Sequence, residues 1–141
     1  MIGIIAVFLG GSIGASLRYL ISLIAHNYGW SYQGTFIINI IGCFFLGFVA
    51  YIALQKEESF NPDLKLFLTT GIAGGFTTFS TFSYEIFTLI KAGQAITGII
   101  YMLLSCIIGF MVASLGMLLA KYVLSLNVEA EDTQLAKEFI E

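Results

Sequence analysis

GIAGGFTTFSTFSYE, residues 71–85, is the stretch on which the fold turns. Gly71, Gly74 and Gly75, followed directly by Phe76, Thr77 and Thr78, make a poor continuous helix. Glycine loses the most backbone freedom on becoming helical, and β-branched threonine loses side-chain freedom. Yet the stretch sits inside an apolar segment, about Leu64 to Ile90, long enough to cross a membrane. A helix broken near Gly74–Thr78 is therefore expected at membrane depth. Hydrocarbon offers no hydrogen-bond partners, so broken backbone survives there only when packed in protein or lining a cavity. The carbonyls freed by a break are hard oxygen donors, suited to an alkali cation.

Beyond the break, spacing sorts the side chains. Phe79 and Phe82 are three residues apart and share a helix face, as do Ser80 with Ser83 and Thr78 with Thr81. A phenyl ring is negative on its face and positive at its edge. Ring edges together with hydroxyl or amide donors therefore hold an anion without a full positive charge, and so release it again. The competing reading is an aromatic core whose hydroxyls bond back to their own helix. Glu85 follows in the same segment, where it caps a pathway, pairs with a basic group or lies near the interface.

Three further segments are long enough to span a bilayer: about Ile2 to Ala25, Thr35 to Leu54 and Ala95 to Leu124. The first has no basic leader region and is expected to be a span rather than a removable signal. Its Gly10 and Gly14, with Gly11 and Ala15, carry the small-residue spacing of close helix packing. Arg18 in that span either faces an aqueous vestibule, where it attracts anions, or snorkels to the interface. Asn39 in the second span either bonds two helices together or lines an anion path. In the fourth, Tyr101 and Ser105 share a face that continues through Gly109 and Ala113. Packing is the default role for that face, with ion contact at Tyr101 and Ser105 the alternative. Cys43 and Cys106 lie in apolar runs without metal or redox spacing and read as small core residues.

Composition agrees with this pattern. Of 141 residues, 58% are hydrophobic and 11% charged, with a mean hydropathy of +0.93. A soluble domain needs more charge than that to cover its surface. The net charge of −3 and the lack of a basic patch exclude nucleic acid as a partner. Short connections at 26–34, 55–63 and 91–94 force successive helices to alternate in direction. Trp30 and Tyr32 suit the membrane–water interface, and Pro62 suits a helix start. Lys56, Lys65 and Lys121 fall on one side and Lys91 on the other, a bias too weak to fix one orientation. The chain divides into a membrane unit, 1–126, and an acidic tail, 127–141, with five acids and one lysine. That tail reads as a short polar helix or as disorder outside the membrane.

GGSIGASLRY (10–19), GTFIINIIG (34–42) and GIAGGFTTFSTFS (71–83), in that order on the first three spans, resemble the CrcB/Fluc fluoride channels. The resemblance covers about residues 3–124. It implies an all-α membrane protein of four transmembrane helices, the third broken, assembled as a dual-topology antiparallel homodimer in the bacterial inner membrane, surrounded by lipid. Fluoride pores would run along the subunit interface, and a structural sodium ion would sit on the dimer axis. Its ligands would be the backbone carbonyls of Gly74 and Thr77. The pore phenylalanines would be Phe79 and Phe82 and the pore asparagine Asn39. Ser80, Thr81 and Ser83 would form a hydroxyl track, with Tyr101 and Ser105 on the fourth helix. Arg18 and Glu85 would stand at the vestibules. Where some members carry a second serine on the fourth span, this chain has Gly109.

The implied role is passive export of fluoride, driven by a negative-inside potential, with no enzyme chemistry; the sequence holds no carboxylate pair, nucleophile–base pair or metal-ligand cluster. Two rivals stand beside it. One is a subunit of an obligate heterodimeric fluoride channel. The other is a small dual-topology drug exporter, which wants an intramembrane carboxylate that only Glu85 offers.

Overall fold

The structure, a computed structural model, describes residues 1–56 and 60–138, the side chains as far as residue 127. It is helical throughout, with no strand among the described residues. Helix α1 spans Ile2–Asn27 and α2 spans Tyr32–Gln55. The third segment is built from pieces: α3 (Pro62–Leu66), a π-helical stretch (Phe67–Ala73), α4 (Gly74–Phe76) and α5 (Phe79–Lys91). Helix α6 is a single rod, Ala95–Glu138, so the backbone of the acidic tail is helical as far as the structure describes it.

Local chemistry explains the ends. Helix α1 stops in a left-handed glycine, Gly29 at φ 70°. There Gly29 N–H donates to His26 at 2.9 Å and Trp30 N–H to Ala25 at 2.9 Å. Helix α5 stops the same way at Gly93, φ 78°, with Gly93 N–H on Ile90 and Gln94 N–H on Leu89. Both are Schellman endings, in which the last carbonyls are satisfied while the chain reverses. Helix α3 starts at Pro62, and the Asn61 side chain accepts from Asp63 N–H at 2.8 Å and Leu64 N–H at 3.2 Å.

Three uninterrupted helices are long and apolar enough to cross a membrane: Ile2–Asn27, Tyr32–Gln55 and Ala95–Asn127. The sequence led us to expect four such segments. The third covers the expected residues, but its longest regular helix, α5, has 13 residues. Two causes divide it. From Phe67 to Ala73 the helix is widened, and Gly74 N–H reaches back to Thr69, five residues away. Then Thr77 (ψ 158°) and Thr78 (φ −147°, ψ 117°) are extended.

Packing follows the small residues. Helix α1 lies directly on the third segment, where a Cβ on Gly10 or Gly14 would collide with the carbonyls of Phe67 or Ile72. This is the packing role for the G-x-x-x-G spacing. Helix α2 runs along α6, and Gly47 and Gly116 there meet the carbonyls of Ala113 and Phe44. The true core is small: Ile38, Ala53 and Ala120 are at most 1% exposed. Phe8, Leu20, Phe110 and Leu118 stand outside, as expected of helices solvated by lipid.

Candidate functional site

The extended pair Thr77–Thr78 is held by residues from three elements. Asn39, on α2, binds the Thr78 backbone twice: its Nδ2 donates to the Thr78 carbonyl at 3.1 Å, and its Oδ1 accepts from Thr78 N–H at 2.8 Å. This double bond fixes the amide's orientation and leaves one N–H of the side chain uncommitted among the described residues. Arg18, on α1, donates from Nε to the Gly75 carbonyl at 3.1 Å. Thr78 caps α5, its Oγ1 accepting from Thr81 N–H at 3.2 Å and donating to Thr81 Oγ1 at 3.0 Å. The Thr77 hydroxyl bonds back to Ala73 at 2.9 Å.

Beside this break lies an open groove of about 370 Å³, walled by α2, the third segment and α6. Asn39, Gly74, Thr77, Phe79, Phe82 and Ser105 all line it. The Phe79 and Phe82 rings are 5.8 Å apart and tilted by 44°. Their surroundings differ: Phe82 is 7% exposed, while Phe79 is 80% exposed on this single chain. Ser105 Oγ is buried and finds no hydrogen-bond partner among the described residues. An unpaired buried hydroxyl costs free energy, which a bound ion or water at this wall would recover.

Behind Phe82 is a second polar group. Tyr101 meets the Phe82 ring edge-on at 5.0 Å. Its hydroxyl donates to Glu85 Oε2 at 2.9 Å, and Thr35 Oγ1 donates to Glu85 Oε1 at 2.7 Å. Both carboxylate oxygens thus have donors from neighbouring helices. Tyr32 and Phe36 continue the ring contacts, 5.1 and 6.5 Å from Tyr101.

The structure therefore gathers Asn39, Phe79, Phe82 and Ser105 at one groove, with Gly74 and Thr77 on its wall. Tyr101 and Glu85 stand one layer behind. Ser80, Thr81 and Ser83 are exposed on α5 and are not part of the wall. Ser83 donates back to the Phe79 carbonyl at 2.9 Å. Sequence reasoning passed over Thr35, although it lies four residues before Asn39 on one face of α2, a spacing that would have found it.

The fit of an alkali cation is testable on this geometry. Among the described residues, no group of three His, Cys, Asp or Glu side chains gathers to hold a metal. The interruption instead presents backbone oxygens. No cap, loop or side-chain donor among the described residues reaches the carbonyls of Gly74 or Thr77. Among the described residues a Cβ on Gly74 would meet only Thr69, so none of them crowds the approach. Neutral, hard oxygens of this kind suit sodium.

Residues 5–117 match the family described as CrcB-like protein, Camphor Resistance (CrcB). A protein of Ruminiclostridium cellulolyticum named fluoride-specific ion channel FluC is 42% identical over 131 residues, covering 89% of this chain and 98% of its own length. Proteins of the same name from Helicobacter pylori and Aquifex aeolicus are 39% and 38% identical. Each covers 84% of this chain, and the match covers 93% and 96% of their own lengths.

Proposed function

Since the chain belongs to the CrcB-like family, a family of ion channels and not of enzymes, we propose that it is a passive, selective fluoride channel of the bacterial inner membrane. The observation that carries this reading is the groove beside the break. There two phenyl rings, the Asn39 amide and the Ser105 hydroxyl, which has no partner among the described residues, converge on one wall. Fluoride is small and strongly hydrated, so a route for it must replace water with donors that let go again. Ring edges, a hydroxyl and an amide N–H do this without binding the ion as a full positive charge would. The membrane potential supplies the direction, about 2.3 kcal/mol per charge per 100 mV.

The groove is open on one side, and Phe79 is bare. A second copy inserted antiparallel would close it and create the pores at the interface. Gly74 supports this arrangement: nothing among the described residues requires glycine there, whereas a neighbouring backbone would. The carbonyls of Gly74 and Thr77 from both copies would then hold a structural sodium ion. Sodium would supply positive charge at the interface and tie the two interruptions together. Glu85, with Thr35 and Tyr101, would mark the entry to the ring pair, and Ser80 and Thr81 would extend the hydroxyl track on the partner-facing side of α5.

Fluoride efflux from liposomes containing this protein alone, with chloride in parallel, tests the reading. Fast, fluoride-selective efflux is expected, and it should fall when sodium is replaced by a bulky organic cation. Folded, inserted protein that passes no fluoride would refute the homodimeric channel and direct attention to a second, non-identical subunit.

A further inference from the structure

A continuous helix through residues 74–81 would satisfy the carbonyls of Gly74, Gly75, Phe76 and Thr77 with amides four residues on. The extended Thr77–Thr78 pair removes that supply. Gly75 has a replacement donor, Arg18 Nε at 3.1 Å in a part-buried bond. The reach of that arm is set by the backbone contact below it. Gly14, four residues earlier on the same face of α1, sits against Ile72, Gly75 and Phe76, and Gly75 in turn lies against Gly11.

We propose that Arg18 is a positioning residue. Its Nε–H takes the Gly75 carbonyl out of the oxygen set at the break, which leaves those of Gly74, Phe76 and Thr77, with the Gly74 and Thr77 pair as the cation ligands of the proposed function. In this account Arg18 acts through one donor at one position, and its charge is not what pulls anions toward the groove. An unsatisfied Gly75 carbonyl would turn toward any nearby cation or donor, because a part-buried carbonyl without a partner is costly. The break would then lose its single geometry.

Covalent structure makes this testable. Glutamine carries an NH₂ on the atom bonded to Cδ, the position Nε occupies in arginine, and carries no charge. Lysine carries a methylene at that position and keeps the charge one atom further out. The purified protein is melted with and without sodium, a readout that needs no channel activity. Ligand bound only to the folded state raises the melting temperature. Sodium should raise it in wild type and in Arg18→Gln, and fail to do so in Arg18→Lys and Arg18→Met. In liposomes, Arg18→Gln should retain efflux to within about threefold, and Arg18→Lys should lose roughly tenfold or more, the scale of leaving one part-buried carbonyl unsatisfied. A lysine variant like wild type beside an impaired glutamine variant overturns the proposal in favour of charge. Equal behaviour of the two, whether both intact or both lost (failure to fold counted as loss), overturns it as well. No sodium effect in wild type refutes the cation set. Sodium-dependent melting without fluoride efflux refutes only the channel reading on which the liposome arm rests.

Discussion

Phe79 and Phe82 are the same residue three positions apart, and the chain treats them differently. Phe82 is packed against Tyr101, while Phe79 has little cover from its own subunit. Replacing Phe79 by Ile should therefore lower the melting temperature less than Phe82→Ile does. Both should cut fluoride efflux by at least roughly tenfold, equivalent to about 1.4 kcal/mol of lost ion contact. Normal efflux in both variants would remove the rings from the mechanism. Asn39 gives a second test at this scale. Asn39→Asp keeps the acceptor for Thr78 N–H but sets a carboxylate oxygen against the Thr78 carbonyl, in place of a donor. We expect a stability loss of about 1–3 kcal/mol and loss of efflux. A variant that melts and conducts like wild type would show that the amide bracket is dispensable. Phe79 and Phe82 could be picked out in the sequence by their three-residue spacing beyond the glycines, and Asn39 because an amide is odd in an apolar helix. Thr35 is not odd in that way, since a threonine at the start of a span has many uses, and only its four-residue spacing from Asn39 marks it.

Among the elements, α1 and the third segment meet backbone to backbone, and neighbouring glycines there answer to different constraints. Gly14 has no room for a Cβ, whereas Gly11 has nothing within 4 Å of one. Gly14→Ala should destabilise the fold by about 1–3 kcal/mol through overpacking. Gly11→Ala should be neutral or stabilise by up to about 0.5–1 kcal/mol, since alanine loses less backbone freedom in a helix. Thermal melts in detergent separate the two, and a destabilised Gly11→Ala would mean that another surface covers this face. The positions of α1, α2 and α6 were readable from the lengths of their apolar runs. The π-helical stretch was not, because Phe67–Ala73 contains no residue type that distinguishes bonding five residues back from four. Nor could the sequence decide among donors for the freed carbonyls. That Arg18 serves Gly75 depends on how closely α1 approaches, which is a tertiary fact.

For the whole molecule, large apolar side chains stand exposed on α1, α2, α5 and α6, and α6 is longer than a membrane span. At 1.5 Å per residue its 44 residues extend about 66 Å, roughly twice the thickness of a hydrocarbon core. If two copies insert in opposite directions, the acidic end of α6 should project from both membrane faces. A label or protease site placed after Asn127 should then be reached from outside sealed vesicles in about half of the chains. Access to all or to none would mean one fixed orientation. The same rod passes the groove: Ser105 on its wall and Glu138 belong to one unbroken helix. Between them lie about 50 Å of stiff chain. Helix α6 is thus a stiff rod that passes the groove, and a tilt of about 5° pivoting at Ser105 would swing the far end by about 4 Å. A spin label or dye near residue 138 would read out sub-ångström adjustments at the wall as displacements large enough to measure.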